Sequence, residues 1–375
     1  MTYALIVAET NPLHYGHTYL IQRARVDGHA VVVLMSGSFT QRGLPVVTDK
    51  FTRAKDLIEQ GVHVVITHPI QSATSSGELF SYGAMTVATR LPAIDAIYCG
   101  TEFGDEETFQ AIYAYELTDC FQSRLQDAMR RGLSYASAYK EALALEDVHW
   151  TGIFQSNALL AYGYFKSLRQ LSSSIPIVFI PRAQDENDRI LSASTIRSMV
   201  DRDRSDVKSY CAGSLPQYKE SNLCESLFRL YRSDAVNASI DLTRYDGHEV
   251  GLDRRIDSCL REATTFTEFM EMAKTKRYSQ WRIARLLLHG YLRMDRQVVR
   301  RSLASQKAYQ VLAFSTGGTA YLREAKASSV MLLTNFKQIK KLPEEQRYLL
   351  GFEQKATDLW SVLTSTSMGR DYRGR

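Results

Sequence analysis

Residues 30–35 read Ala-Val-Val-Val-Leu-Met, an unbroken apolar run rich in β-branched side chains. A strand with one wet face would alternate apolar and polar residues. An unbroken run needs cover on both faces, which is the condition of a central strand in a parallel sheet. Similar runs recur at residues 3–7, 62–67, 94–99 and 175–180, and helical patterns lie between them: one opening at Gly16-His17, then residues 49–59 and 78–89. Alternation at this short spacing predicts an α/β fold with a doubly wound parallel sheet. Asp49 is the expected N-cap of the 49–59 helix, and a position near Ser194 that of a short helix beyond. Residues 106–171 read as mostly helical. Beyond residue 201 the pattern is amphipathic helix joined by short polar links, interrupted by one strand at 311–313. The change in pattern divides the chain into residues 1–205 and 206–375.

Charge separates the same two parts. Residues 1–250 hold 23 Lys+Arg against 29 Asp+Glu, whereas residues 251–375 hold 23 against 12. Within the second part, residues 274–301 carry nine Lys and Arg against Asp295 alone. A basic far end suggests a polyanionic partner, nucleic acid being the commonest. No apolar run approaches the ~18–20 residues of a membrane span, and the first one ends at Glu9 without a basic leader, so a cytoplasmic protein with no membrane partner is expected. Cys99, Cys120, Cys211, Cys224 and Cys259 are scattered with no C-x-x-C pair. They are expected as reduced thiols, and neither a disulfide framework nor a metal-ligand set is predicted.

The first strand runs into Asn11-Pro12-Leu13-His14-Tyr15-Gly16-His17 and then a helix. A strand leading through a tight turn into a helix N-terminus presents unpaired N–H groups and the positive end of the helix dipole, both suited to phosphate. His14 and His17, three residues apart, can offer imidazole N–H groups to charge building on a triphosphate. Gly16 lacks a Cβ where adenine or ribose could lie against the backbone. Farther on, Leu191-Ser192-Ala193-Ser194-Thr195-Ile196-Arg197 combines three hydroxyls, a helix start and a forked cation, all apt for a phosphate chain. In the basic segment, Arg282, Arg285, His289 and Arg293 recur at helical spacing and predict a cationic stripe, with Trp281, Ala284, Leu288 and Tyr291 toward the core. Such a stripe would contact phosphates, and Tyr278 could stack on an unpaired base. Arg42, Lys50 and Lys55 flank the second strand's carboxyl-end loop and could reach phosphate or simply be solvated.

The His14-x-Gly16-His17 turn and the Ser192–Arg197 loop resemble the two signatures of the HIGH-type nucleotidyltransferases. Together with Met35–Gly43, Lys50–Lys55, Gly100–Asp105, Ser156-Asn157 and Lys274–Tyr278 continuing into Arg282 and Arg285, they resemble the tRNA(Met) cytidine acetate ligase family, over residues 3–323. The resemblance implies a Rossmann-like catalytic domain over 1–205 and a mainly helical, basic tRNA-binding domain over 206–375. It implies an ATP-dependent ligase that activates acetate as acetyl-adenylate and acetylates N4 of the wobble cytidine of elongator tRNA(Met), with Mg²⁺ on the phosphates. No protein partner is inferred. ATP would meet Val7, Ala8, Glu9, Thr10, Asn11, Pro12, Leu13, His14, Tyr15, Gly16, His17, Thr18, Tyr19, Leu20, Gly100, Asn157, Arg182, Ser192, Ser194, Thr195 and Arg197. Catalysis would fall to His14, His17, Arg182 and Arg197. tRNA would meet Lys274, Lys276, Arg277, Tyr278, Arg282 and Arg285. Two positions depart from the family pattern: Thr10 stands where an aromatic is usual, and Thr67-His68-Pro69 replaces an acidic-Leu-Pro sequence.

Three other readings share parts of this pattern. A nucleotidyltransferase joining AMP to a small phosphorylated coenzyme precursor has both signatures but gives no reason for the basic end. An RNA-binding protein with a vestigial nucleotide site is opposed by the intact His14, Gly16, His17 and Arg197. A class I aminoacyl-tRNA synthetase would need a K-M-S-K-S-like loop, which the sequence lacks.

Overall fold

The computed structural model describes residues 2–181, 190–237 and 241–373. Its strands are β1 (Tyr3–Ala8), β2 (Ala30–Ser36), β3 (Val64–His68), β4 (Ile94–Thr101), β5 (Ile177–Pro181), β6 (Ala308–Phe314) and β7 (Met331–Leu333). They form one sheet in the order β5-β4-β1-β2-β3-β6-β7. β1 to β5 are mutually parallel, as the apolar runs predict, while β6 joins the β3 edge antiparallel and carries β7 parallel beside it. From β1 the chain builds outward through β2 and β3, then returns to the other side of β1 with β4. This reversal makes the carboxyl ends of β1 and β4 the switch point of the sheet, the place where open α/β sheets form a crevice for ligands.

Eight helices position the site: α1 (Tyr15–Val26), α2 (Lys50–Glu59), α3 (Gly77–Arg90), α4 (Ser156–Gln170), α5 (Ala193–Asp201), α6 (Glu220–Val236), α7 (Gln280–Leu292) and α8 (Glu344–Leu363). Strand side chains alternate between the two faces. Ala4, Ile6, Val31, Val33 and Val65 therefore meet Ile21 and Ala24 of α1 and Ala54 and Leu57 of α2. Leu5, Val32, Leu34 and Ile66 meet Phe80 and Ala84 of α3 and Ala161 and Phe165 of α4. All seven residues of β2 are buried, which explains the unbroken apolar run over residues 30–35.

A second core gathers Leu223 and Phe228 of α6, Ile283 and Leu287 of α7, and Phe352 and Trp360 of α8, and it takes in Phe39, Leu44 and Val46 from the loop after β2. The Trp360 indole N–H donates to the Val46 carbonyl over 2.8 Å. Truncating such a buried ring costs about 3–5 kcal/mol. The loop after β2 is thus embedded among the helices of residues 206–375, and two strands from those residues extend the sheet. The loop is also joined to the first strand's turn: Gln41 N–H donates to Glu9 Oε1 at 2.6 Å and Val47 N–H to Asn11 Oδ1 at 2.9 Å.

Lys50, read from sequence as a flanking cation, is fully buried: its Nζ lies 2.7 Å from Asp371 Oδ1 and 3.0 Å from Gln310 Oε1. Lys55 is exposed. Cys99, Cys211, Cys224 and Cys259 are buried and Cys120 is exposed, all as free thiols.

Candidate active site

His14 is the N-cap of α1 and His17 its third residue, and the pair forms a capping box in which imidazoles take the usual hydroxyl and carboxylate roles. Gly16 N–H donates to His14 Nδ1 (3.1 Å) and His14 N–H to His17 Nδ1 (3.3 Å). Because each Nδ1 accepts, a ring that is neutral at either position carries its proton on Nε2. The rings lie 3.9 Å apart between centroids. Burial, with His14 adding to it, holds the His17 imidazole well below its ordinary 6.5, so the ring is neutral at physiological pH. A Cβ on Gly16 would lie 3.0 Å from His14 Cε1. The glycine is therefore required first by the His14 ring folded over it, a reason nearer to hand than a bound base.

The rest of the turn is mostly structural. Asn11, Pro12 and Leu13 are buried, while Tyr15 and Tyr19 are exposed on the outer side of α1. Thr10 is fully buried at φ 47°, its hydroxyl 3.3 Å from Met35 Sδ, so the position lines no open pocket. Arg53 of α2 fixes the ground beneath: its Nε donates to the Thr48 carbonyl (2.9 Å), Nη1 to those of Glu9 (2.5 Å) and Ser36 (3.1 Å), and Nη2 to that of Gly37. One buried guanidinium thereby ties the carboxyl ends of β1 and β2 together. Sequence reasoning passed over Arg53, although a cation directly before Ala54 and four residues before Leu57, on the apolar face of α2, was the available signal.

α5 is N-capped by Ser192, whose Oγ accepts from Thr195 N–H at 3.1 Å, two residues before the Ser194 near which the sequence places the cap. Ser192 Oγ also lies 2.9 Å from Ser194 Oγ and 2.8 Å from Thr195 Oγ1, and the last two residues are exposed. Ile190 reaches to 3.6 Å from the Cβ position of Gly16, so this loop borders the histidine turn. Arg197 lies on the inner side of α5, largely buried. Its Nη1 donates to the Asn11 carbonyl (2.7 Å) and its Nε sits 2.7 Å from Glu220 Oε1 at the start of α6. Burial pushes the Glu220 carboxyl up, against the pull of Arg197.

At the carboxyl end of β4, a Cβ on Gly100 would meet none of the described residues within 4 Å. Two residues on, Glu102 accepts from Asn157 Nδ2 (2.6 Å) and from Ala158 N–H (3.2 Å), capping α4 from a neighbouring element. Asn157 is held by Glu102, a residue the sequence reading left without a role. Arg182 lies outside the described residues. Among the described residues no group of three or more His, Cys, Asp or Glu side chains is placed to hold a metal ion, and no helix is long and apolar enough to cross a membrane.

The basic segment carries less open charge than its composition suggests. Glu249 pairs with both Arg277 (2.6 Å) and Arg282 (2.7 Å), Glu271 with Lys274 (2.5 Å), Asp246 with Arg296 (3.6 Å) and Glu345 with Arg301. Tyr278 lies between Arg277 and Arg282, 5.7 and 5.3 Å from ring centroid to guanidinium carbon, and its hydroxyl donates to Glu249 (3.3 Å). His289 departs from the expected stripe: it is buried against Thr74, and burial brings its imidazole down to about 4. Lys276 is exposed and Arg285 partly buried.

The chain matches the HIGH Nucleotidyl Transferase family over residues 1–373. It is 31% identical to the tRNA(Met) cytidine acetate ligase of Clostridium perfringens, over 98% of this chain and 97% of that one. To the protein of that name from Anoxybacillus flavithermus it is 30% identical, over 98% of each. Its fold superposes on the crystal structure of Thermotoga maritima TmcAL bound with alpha-thio ATP at a TM-score of 0.89 and 26% identity, covering 100% of this chain and 98% of that one. The apo form of the Thermotoga protein gives 0.88 at 25% identity, over 99% and 98%. A strand-turn-helix histidine site at the sheet's switch point, a second loop docked on it and this near-complete likeness show that the chain belongs to the tRNA(Met) cytidine acetate ligase family of HIGH nucleotidyl transferases.

Proposed function

We propose that this protein is an ATP-dependent ligase that forms N4-acetylcytidine at the wobble position of elongator tRNA(Met) through acetyl-adenylate. The observation that carries the reading is the 2.7 Å bond from Arg197 to the Asn11 carbonyl, which joins the two phosphate-suited loops at the crevice where an α/β sheet takes its ligand. An acetate oxygen attacks the α-phosphorus of ATP and the bond to pyrophosphate breaks. The N4 amine of cytidine then attacks the acetyl carbonyl, AMP leaves with the C–O electron pair, and the amine proton passes to solvent. No enzyme nucleophile is needed. The Nε2–H groups of His14 and His17 face charge growing on the α-phosphate, and the hydroxyls of Ser192, Ser194 and Thr195 take the outer phosphates. Arg197 acts chiefly by holding the turn, Gly100 leaves room at the β4 end for the nucleoside, and Asn157 is oriented by Glu102. The site's donors are imidazoles, hydroxyls and guanidinium, so Mg²⁺ would travel on the phosphate oxygens and not in a protein carboxylate cage. Lys276 and the Arg277–Tyr278 corner, with Lys274, Arg282 and Arg285, lie on the proposed tRNA side.

The test is purified protein with ATP, labelled acetate and bulk tRNA. Label recovered as acetylcytidine supports the proposal. Inertness toward tRNA with AMP transfer to a small phosphate ester would replace it with the coenzyme-precursor nucleotidyltransferase.

A further inference from the structure

Arg285 is an anomaly of electrostatics. It sits on α7, partly buried, and among the described residues its guanidinium makes no ion pair or hydrogen bond, whereas Arg282, one turn earlier, and Arg277, just before the helix, share Glu249. Burial, with Arg282 adding to it, brings its guanidinium down to about 10. A buried cation without a counter-charge is costly and persists where something else supplies the anion.

The neighbourhood indicates what that anion is. Arg42, at the tip of the loop after β2, lies over the Trp281 ring with its guanidinium carbon 4.8 Å from the centroid. Arg42 too makes no ion pair among the described residues; the nearest influence is through space on Glu220, which Arg197 already holds. Trp281 and Arg285 are four residues apart on α7 and share one face. Gly43, at φ 79°, lies so close that a Cβ there would be 2.8 Å from Arg285 N. One arginine without an ion pair thus lies over the indole and a second follows one turn along the same helix, against a loop whose other side is bonded to Glu9 and Asn11 of the histidine turn.

We propose that Arg285 and Arg42 form an anion clamp for the backbone phosphate beside the nucleotide being acetylated, with Trp281 as its floor. The inference rests on the ligase reading above and deepens it: the anion is an RNA phosphate, in an unpaired stretch of the tRNA. The placement suits the task, because this loop is the direct link between the histidine turn and the basic helix. A forked guanidinium can take two oxygens of one phosphate, which a lysine cannot. The ion-paired Arg277 and Arg282 would then set orientation at longer range.

The experiment compares Arg285→Met, Arg285→Lys and Arg42→Ala with wild type in four measurements: tRNA acetylation, tRNA binding across a salt series, acetate-dependent ATP–pyrophosphate exchange, and thermal unfolding without RNA. For Arg285→Met the clamp predicts a tRNA kcat/KM lowered by tenfold or more relative to the exchange rate. It also predicts a slope of log affinity against log salt shallower by about 0.7, the share of one single-strand phosphate contact. The unfolding temperature should be equal or higher, since no native partner is lost. Lysine should recover part of the tRNA effect, and Arg42→Ala should show the same split between tRNA and exchange. An unchanged tRNA kcat/KM in Arg285→Met overturns the clamp. A fall in the exchange rate as large as in tRNA acetylation also overturns it and moves the anion to the nucleotide or acetate site. A lower unfolding temperature with both reactions reduced in parallel assigns Arg285 to structure alone. Absence of acetylcytidine with the wild-type protein is a different outcome, one that removes the ligase reading itself.

Discussion

The Arg197 guanidinium donates to the Asn11 carbonyl over 2.7 Å while its Nε sits 2.7 Å from Glu220, so the second loop and the histidine turn are fastened to each other through a charged group drawn from the interior side of α5. Arg197→Met leaves Glu220 in a largely buried place without its cation, a class of change that costs about 3–5 kcal/mol. Urea unfolding should register that loss, and ATP affinity should fall with it. Arg197→Met combined with Glu220→Gln should recover part of the stability and little of the ATP affinity. Full recovery of both in the double variant would show that Arg197 has no bearing on the nucleotide.

Arg53 serves the floor of the site as Arg197 serves its rim. Arg53→Met removes donors from four carbonyls, those of Glu9, Ser36, Gly37 and Thr48. With several buried acceptors left bare, the expected cost is about 3–5 kcal/mol, visible as a lower unfolding temperature. A variant as stable as wild type would mean that water replaces the guanidinium.

Gly43 joins the catalytic half to α7. At φ 79°, with Arg285 N 2.8 Å from its Cβ position, Gly43→Ala both strains the backbone and pushes loop from helix. The expected destabilisation is about 2 kcal/mol or more, and tRNA acetylation should fall further than acetate-dependent exchange. Equal losses in the two reactions would argue that the loop serves the histidine turn alone.

Stability should carry a titration from Glu353. Burial pushes this carboxyl from 4.5 up to about 7, with Lys50 opposing and Asp371 adding. Its folded value lies above its unfolded one, so the native state holds an extra proton between them. The contribution is fully present below about pH 4.5 and lost as pH rises through about 7. His289, brought down to about 4, works the other way: its contribution is lost as pH falls from 6.5 toward 4. The difference in unfolding free energy between wild type and Glu353→Gln should therefore drop by about 3 kcal/mol from pH 4.5 to pH 7.5. A flat difference would place the Glu353 pKa near its ordinary value.

Burial decided how much of this was legible in sequence. The five parallel strands could be read because a strand covered on both faces has no choice but to be apolar, as in residues 30–35. β7 could not, since three residues hold no period. The two phosphate-suited loops stood out by residue type, and the structure brings them together. What sequence could not convey is where charge is cancelled. Helical spacing put His289 on the same stripe as Arg282 and Arg285, but Thr74, far away in sequence, covers that turn of the helix. Lys50 looked like a surface cation until Asp371, from the far end of the chain, met it in the interior. Arg53, Glu102 and Glu220 act through partners remote in sequence, so no local pattern announces them.

The central claim is that the histidine turn is where ATP is attacked. Its most direct test is acetate-dependent ATP–pyrophosphate exchange by His17→Ala, with circular dichroism to establish that the fold is kept. The Nε2–H donor should be indispensable, so exchange should fall to background in a folded protein. Exchange at the wild-type rate would contradict the account and move the chemistry away from His14 and His17.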